Sequence, residues 1–252
     1  MRTLLKVALF LAGTVVLVLV TTFCWLYFYS RDLPEISALA QYAPATVTQV
    51  TDPCLGRSVA VPYDGIGENL RNAIRAAEAN GNDLSVLSEL FQGNFRDKPP
   101  LHRVSLPVVV SRTLFCLPSK MLKRHFDELR TAIQLDRHFS RQQLFTIYAN
   151  RVYLGPDLIG VQKGSKFYFN KTSVDLTVPE AALLVALIRS PTVYSPSKHP
   201  DRALRRRNEV IDAMLENGSI TKVEAEAAKA SHLETEFRGD GVKTRSYGIT
   251  PA

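Results

Sequence analysis

A mainly α-helical domain behind one N-terminal transmembrane helix is the fold class this sequence predicts, on three observations. A run without charge extends from Val7 to Tyr29, apolar residues recur at helical spacing from Leu70 onward, and capping-box spacings mark helix starts at Ser140/Gln143, Thr177/Glu180 and Thr221/Glu224.

The run VALFLAGTVVLVLVTTFCWLYFY exceeds the about 20 residues that a helix needs to cross a bilayer. Arg2 and Lys6 precede it, and Phe23, Trp25, Tyr27, Phe28 and Tyr29 crowd its far end, where amphipathic rings favour the membrane interface. Residues 1–30 are therefore expected to be a cytoplasmic N-terminus and anchor, with the rest of the chain outside the cytoplasm. The competing reading is a cleaved signal peptide, which needs a shorter apolar core and a small-residue cleavage site that TTFCWLYFYS does not supply.

Residues 31–67 form a juxtamembrane linker in this reading. Pro34, Pro44, Pro53 and Pro62 exclude long helices there, while TVTQV and RSVAV favour short extended segments. Residues 68–235 make the main domain, and 236–252 a polar tail. Within the domain, NLRNAIRAAE places Leu70, Ala73, Ile74 and Ala77 on one helical face, and LSVLSELF repeats the pattern. VSLPVVVSRTLF is a buried strand or a buried helix, and periodicity does not separate the two. Pro179 suits the first turn of the helix that Thr177 opens.

The net charge of +7 suits an anionic partner. For a membrane-tethered domain that means anionic lipid headgroups, pyrophosphates or anionic glycans before nucleic acid. Of the three cysteines, Cys24 lies in the span, and Cys54 and Cys116 are left as a pair that an oxidising compartment would allow to bridge, though no spacing requires it.

Two glutamates carry candidate chemistry. Leu70, Ile74 and Glu78 fall at i, i+4 and i+8, which sets the Glu78 carboxylate on an apolar stripe, where burial would raise its pKa and suit it to general acid or base work. The alternative is a helix end from which Glu78 reaches solvent. Glu128 is expected off the stripe Leu122, Phe126, Leu129 and Ile133, beside Arg124 and His125, as an anion held among cations or as an ordinary surface pair. The densest cluster is YANRVYLGPDLIGVQKGSKFYFNK. Asn150 closes a helix there, Gly155 and Gly160 permit an irregular loop, and Tyr168, Phe169 and Lys171 follow.

From about Leu70 to Ala228 the chain resembles glycosyltransferase family 51, the peptidoglycan transglycosylases that occur alone or as the N-terminal half of bifunctional penicillin-binding proteins. The cluster just quoted matches the family's fourth motif, with Asn150 and Lys171 on motif positions. PEAALLVALIRSPTVYSPSKHPDRALRRRNEVIDAML matches the following helix, turn and fifth motif, which carries Arg206 and Arg207. KRHFDELRTAIQLDRHFS fits the third motif, with Glu128 on its acidic position, Arg124 on its arginine and His125 where the family has lysine. AIRAAEAN fits the first motif with Glu78 on the catalytic glutamate, but Ala79 and Asn80 replace what normally follows. The second motif is reduced to RVSLPVVVSRTLF, which keeps Ser105 and Arg112 while valines replace its glutamines.

The resemblance implies a lysozyme-like, two-lobed glycosyltransferase domain at the periplasmic face of a bacterial inner membrane. It implies polymerisation of lipid II into β-1,4-linked glycan with release of undecaprenyl pyrophosphate. Glu78 would be the catalytic base, with Glu128 orienting the substrate or holding a divalent cation, Mg²⁺ or Mn²⁺; no organic cofactor is expected. Ser105, Arg112, Arg124, His125, Asn150, Lys171, Arg206 and Arg207 would bind substrate. The partners implied are lipid II, the growing polyprenyl-linked glycan, membrane lipids and penicillin-binding or other cell-wall synthesis proteins. Transpeptidation is not expected of these residues. The altered first and second motifs leave a second expectation open, a binding or scaffold protein without turnover; a lysozyme-like hydrolase ranks below both.

Overall fold

The computed structural model describes residues 2–29, 36–52, 56–78, 106–114, 121–231, 233–236 and 246–249; within them, the side chains at 78, 112, 121–126 and in parts of the first helix and the strands lie outside that description. Helix α1 (Arg2–Tyr29) is continuous over 28 residues, about 42 Å at 1.5 Å per residue. Phe10, Leu11, the run Val15–Val20, Phe23 and Trp25 are exposed on it. Taken over described side chains, which run unbroken in α1 only from 10 to 25, no helix is long and apolar enough to cross a membrane.

A 3₁₀ segment, Ile36–Tyr42, then seats Leu39 and Tyr42 in the core. The extended segments expected in the linker pair with each other. β1 (Thr48–Asp52) and β2 (Gly56–Ala60) are antiparallel, with Thr48 opposite Ala60 and Asp52 opposite Gly56. Val50, Ser58 and Ala60 are buried, so the hairpin lies on the helices with part of its surface covered.

Helix α2 (Glu68–Glu78) buries Leu70, Ala73, Ile74 and Ala77, the stripe its spacing predicts. It packs against α7 (Val178–Arg189) and α8 (Pro200–Glu216). Every residue from Ala181 to Leu187 is buried, so α7 is apolar on all sides and forms the centre of this group. The Thr177/Glu180 capping box starts it, and α9 (Lys222–Ala230), started by the Thr221/Glu224 box, completes the group against α8.

The VSLPVVVSRTLF ambiguity is settled as helix α3 (Leu106–Leu114). Pro107 fits its first turn. Three successive β-branched valines would favour a strand by local preference alone, but Val108, Val109 and Val110 are all buried where α3 meets α4 (Met121–His138) and α5 (Arg141–Arg151), and packing outweighs the preference. Helix α5 starts at the Ser140/Gln143 capping box and is buried from Leu144 to its end. It also touches the 3₁₀ segment, β2 and α6 (Val161–Phe169). A second hairpin, β3 (Leu233–Glu236) with β4 (Ser246–Ile249), approaches α6 through β3. The helix expected over LSVLSELF lies outside the described residues.

One expectation is corrected. The apolar stripe predicted for α4 included Leu129 and Ile133, yet Ile133 is 37% exposed while Asp127, Glu128, Thr131, Ala132 and Leu135 are buried. The helix is turned so that 128, 131, 132 and 135, at i, i+3, i+4 and i+7, face inward. Glu128 is an interior residue, 7% exposed, and does not take the surface position that the stripe assigned to it.

Candidate active site

Glu78 is the last residue of α2. Ile74 and Leu70, one and two turns before it, are fully buried, so its backbone position continues the buried register; its side chain lies outside the description.

Glu128 sits mid-way along α4 beside a second buried carboxylate, Asp127, and neither is isolated. Buried carboxylates cost several kcal/mol unless neighbours compensate them, so two of them side by side on α4 are a specific device. Thr131, one turn on, is fully buried, and its Oγ1 has no hydrogen-bond partner among the described residues. Arg124 and His125 are on α4 one turn before Glu128, and Arg112 is on α3, which packs on α4; their side chains lie outside the description. The packing thus brings together the helices that carry Arg112, Arg124, His125 and Glu128. Ser105 lies outside the described residues.

Two arginines missed by sequence reasoning support this region. Arg151, buried at the end of α5, donates from Nη2 to the Thr113 carbonyl at 3.0 Å and from Nε to Thr113 Oγ1 at 3.4 Å, while its guanidinium lies 4.8 Å from the Tyr42 ring centre. It closes the C-terminal turn of α3, whose last carbonyls have no helical partner. Arg130, two residues after Glu128, sits over the ring of Tyr27 in α1. The cue for Arg151 was its place directly after Asn150; Arg130 gave none, because its partner is far away in sequence.

The remaining candidates are anchored elsewhere. Asn150 is fully buried, and its Nδ2 donates to the carbonyls of Tyr42 and Val61, both at 2.8 Å, while its Oδ1 accepts from the Val61 N–H at 3.0 Å. Both of its donor hydrogens are used on the backbone. Gly160, with φ +84°, caps α6 where a Cβ would come within 2.8 Å of the Asn150 carbonyl oxygen, so the loop and this asparagine are packed as one piece.

Lys171 donates to both carboxylate oxygens of Glu180, at 2.8 and 3.0 Å, and its side chain remains 41% exposed. Glu180 also accepts from the Thr177 N–H at 2.9 Å, so the lysine is positioned by the start of α7. Tyr168, three residues before the lysine, donates to the Leu154 carbonyl at 2.8 Å, and burial, with Tyr153 nearby, pushes its pKa up to about 12.

Arg207 is fully buried in α8, where Nη2 and Nη1 donate to the carbonyls of Lys229 and Ser231, so it finishes the C-terminus of α9. Burial lowers its pKa from the ordinary arginine value. Arg206 points to a different surface, donating to Glu209 at 2.8 Å. The principal packing of α8 is on α2, α7 and α9, whereas that of α4 is on α3.

Among the described residues, no group of three or more His, Cys, Asp and Glu side chains is arranged to hold a metal ion. Glu128 and Asp127 suit only the other way in which Mg²⁺ is held, by one or two carboxylates together with substrate phosphates.

The transglycosylase family model matches residues 108–215, from α3 to the end of α8. Penicillin-binding protein 1A of Aquifex aeolicus is 30% identical over 238 residues, which cover 88% of this chain and 33% of that one. Penicillin-binding protein 1F of Bacillus subtilis is 36% identical over 124 residues, 49% of this chain and 17% of the relative. The crystal structure of penicillin-binding protein 1A from Haemophilus influenzae is 23% identical and covers 53% of this chain and 17% of that one with a TM-score of 0.35, a likeness too slight to carry an argument. The chain spans a third or less of the length of these relatives. The helices that frame Glu128 and the segment that carries Asn150, Lys171, Arg206 and Arg207 all fall inside or against the matched range, and this chain carries a domain of the transglycosylase family, glycosyltransferase family 51.

Proposed function

We propose that this chain is a membrane-anchored peptidoglycan glycosyltransferase that polymerises lipid II into β-1,4-linked glycan and releases undecaprenyl pyrophosphate. The observation that carries this reading is the inward-facing Glu128 on α4, packed on the α3 helix that bears Arg112, within a transglycosylase-family domain. In this reading Glu78 takes the proton from the 4-hydroxyl of an acceptor lipid II while that oxygen attacks the anomeric carbon of the growing chain, with inversion. Arg112, Arg124 and Lys171 offset the charge that develops on the departing pyrophosphate. Glu128 is the residue that would hold a divalent cation, which when bound supplies further neutralisation of the phosphates. Asn150 and Arg207 act through the fold, as backbone staple and helix cap.

The anchor belongs to the same reading. The charge-free run from Val7 to Tyr29 lies within a single 28-residue helix whose described apolar side chains face outward, which supports a single pass through a bacterial inner membrane with the domain on the periplasmic side. A polyprenyl-linked substrate then shares the membrane with the enzyme, and membrane lipids and cell-wall synthesis proteins are its neighbours. The lysozyme-like, two-lobed arrangement is part of this proposal.

A second reading, a lipid II-binding or scaffold protein without turnover, is favoured by one observation. The valines that replace the second motif's glutamines are buried in α3, so no polar side chain extends from those positions to a substrate. The two are separated with purified full-length chain in lipid-containing micelles, given labelled lipid II with Mg²⁺ or Mn²⁺. Glycan chains that vanish in a folded Glu78→Gln variant are the expected result. Absence of polymer under every condition, with lipid II still bound, establishes the second reading instead.

A further inference from the structure

The turn between α7 and α8 and the first three turns of α8 border an open cleft of about 280 Å³, lined by Val193, Tyr194, Arg202, Arg205, Arg206 and Glu209. The arginines stand at i, i+3 and i+4, so one helix face gathers three guanidiniums, a spacing at which like charges weaken a helix. Glu209 is the one carboxylate in the lining, and it is already engaged by Arg206 Nη1 at 2.8 Å. Arg202 and Arg205 are exposed and enter no ion pair among the described residues. The Arg206 guanidinium lies 6.0 Å from the Tyr194 ring centre, and its Nε is buried with no hydrogen-bond partner among the described residues. A helix that places three cations around a cleft, with a single carboxylate against them and an orphaned donor in the wall, has the charge and the donors to hold an anion.

We propose that this cleft binds a phosphate-bearing anion, at a site separate from the one framed by α3 and α4. Planar guanidinium forks match phosphate oxygens two at a time, and three of them serve more acceptor atoms than a carboxylate offers. The Tyr194 ring and Val193 supply an apolar border for whatever the phosphate is attached to. A lipid headgroup and a free phosphate share this chemistry.

The test is calorimetric titration of the full chain in neutral detergent micelles, in one arm with inorganic pyrophosphate and in the other with short-chain phosphatidylglycerol against short-chain phosphatidylcholine. Binding that weakens with ionic strength, falls about tenfold in an R202Q/R205Q variant and strengthens severalfold in Glu209→Gln is the expected result. Response to the glycerol lipid alone identifies a headgroup site, and response to pyrophosphate alone identifies a soluble or pyrophosphate-bearing ligand. Unchanged affinity of R202Q/R205Q for both probes, with an unaltered circular dichroism spectrum, overturns the proposal, as does failure of the wild-type chain to bind either. Polymerisation plays no part in these readouts, so a chain that makes no glycan still passes or fails this test on its own.

Discussion

The guanidinium of Arg130 lies 5.1 Å from the ring centre of Tyr27, joining the helix that carries Glu128 to the last turn of the N-terminal helix. An arginine over an aromatic face is worth about 0.5–1 kcal/mol at an exposed site and more where water is excluded. In the proposed function this contact ties the helix that bears Glu128 to the membrane anchor.

A double-mutant cycle on Arg130→Ala and Tyr27→Ala, read by thermal melting in lipid micelles, is expected to give a coupling of about 0.5–1 kcal/mol. Each single variant should also slow lipid II polymerisation severalfold while the melt moves by only a few degrees. Additive stabilities would show that the two side chains do not act together.

Asn150→Ala removes one acceptor and two donors from the buried backbone groups of Tyr42 and Val61. Each group left unpaired costs about 1–3 kcal/mol, so urea unfolding should show a loss of at least about 3 kcal/mol, or no folded protein. Asn150→Asp is expected to fare no better, because a carboxylate accepts but cannot donate. A variant as stable as wild type would return Asn150 to the list of substrate ligands.

Lys171 is expected to separate stability from activity. Its ion pair with Glu180 is partly exposed and worth at most about 1 kcal/mol, and the Thr177/Glu180 capping box survives its removal. Lys171→Ala should therefore melt within a few degrees of wild type while polymerisation falls about tenfold or more, as expected for a cation facing a pyrophosphate. Equal small losses in both would reduce the lysine to a tether for α7.

Tyr168 sets an alkaline limit on the fold. Its folded-state pKa, about 12, exceeds the ordinary 10.0. The raised value means that its contribution is complete below pH 10 and is lost as pH rises from 10 toward 12, where the unfolded chain sheds the proton first. The gap corresponds to about 2–3 kcal/mol. Urea melts across that range should show wild type losing stability faster than Tyr168→Phe; parallel curves would mean that the hydroxyl titrates normally.

Much of the helical framework was legible in the sequence because its signals are local. The three capping boxes and the Leu70–Ala77 stripe are each complete within one helix, and the structure contains all of them. The α3 segment was ambiguous because Val108–Val110 is β-branched throughout, and only its packing on two other helices settles the matter. The inward face of α4 was misjudged for a chemical reason: Asp127, Glu128 and Thr131 are polar, so apolar periodicity assigned them to the surface. Asn150 and Arg207 drew attention as motif residues, but their partners lie across the fold, where no spacing rule reaches.

A Cβ added at Gly164 would run into Cδ1 of Leu154, which is itself fully buried. The two residues are therefore contingent on each other. Alanine at 164 should be accommodated only after residue 154 has been made smaller. A library that varies position 164 alone would score alanine as deleterious, although in a background with a smaller residue at 154 the same alanine would be neutral.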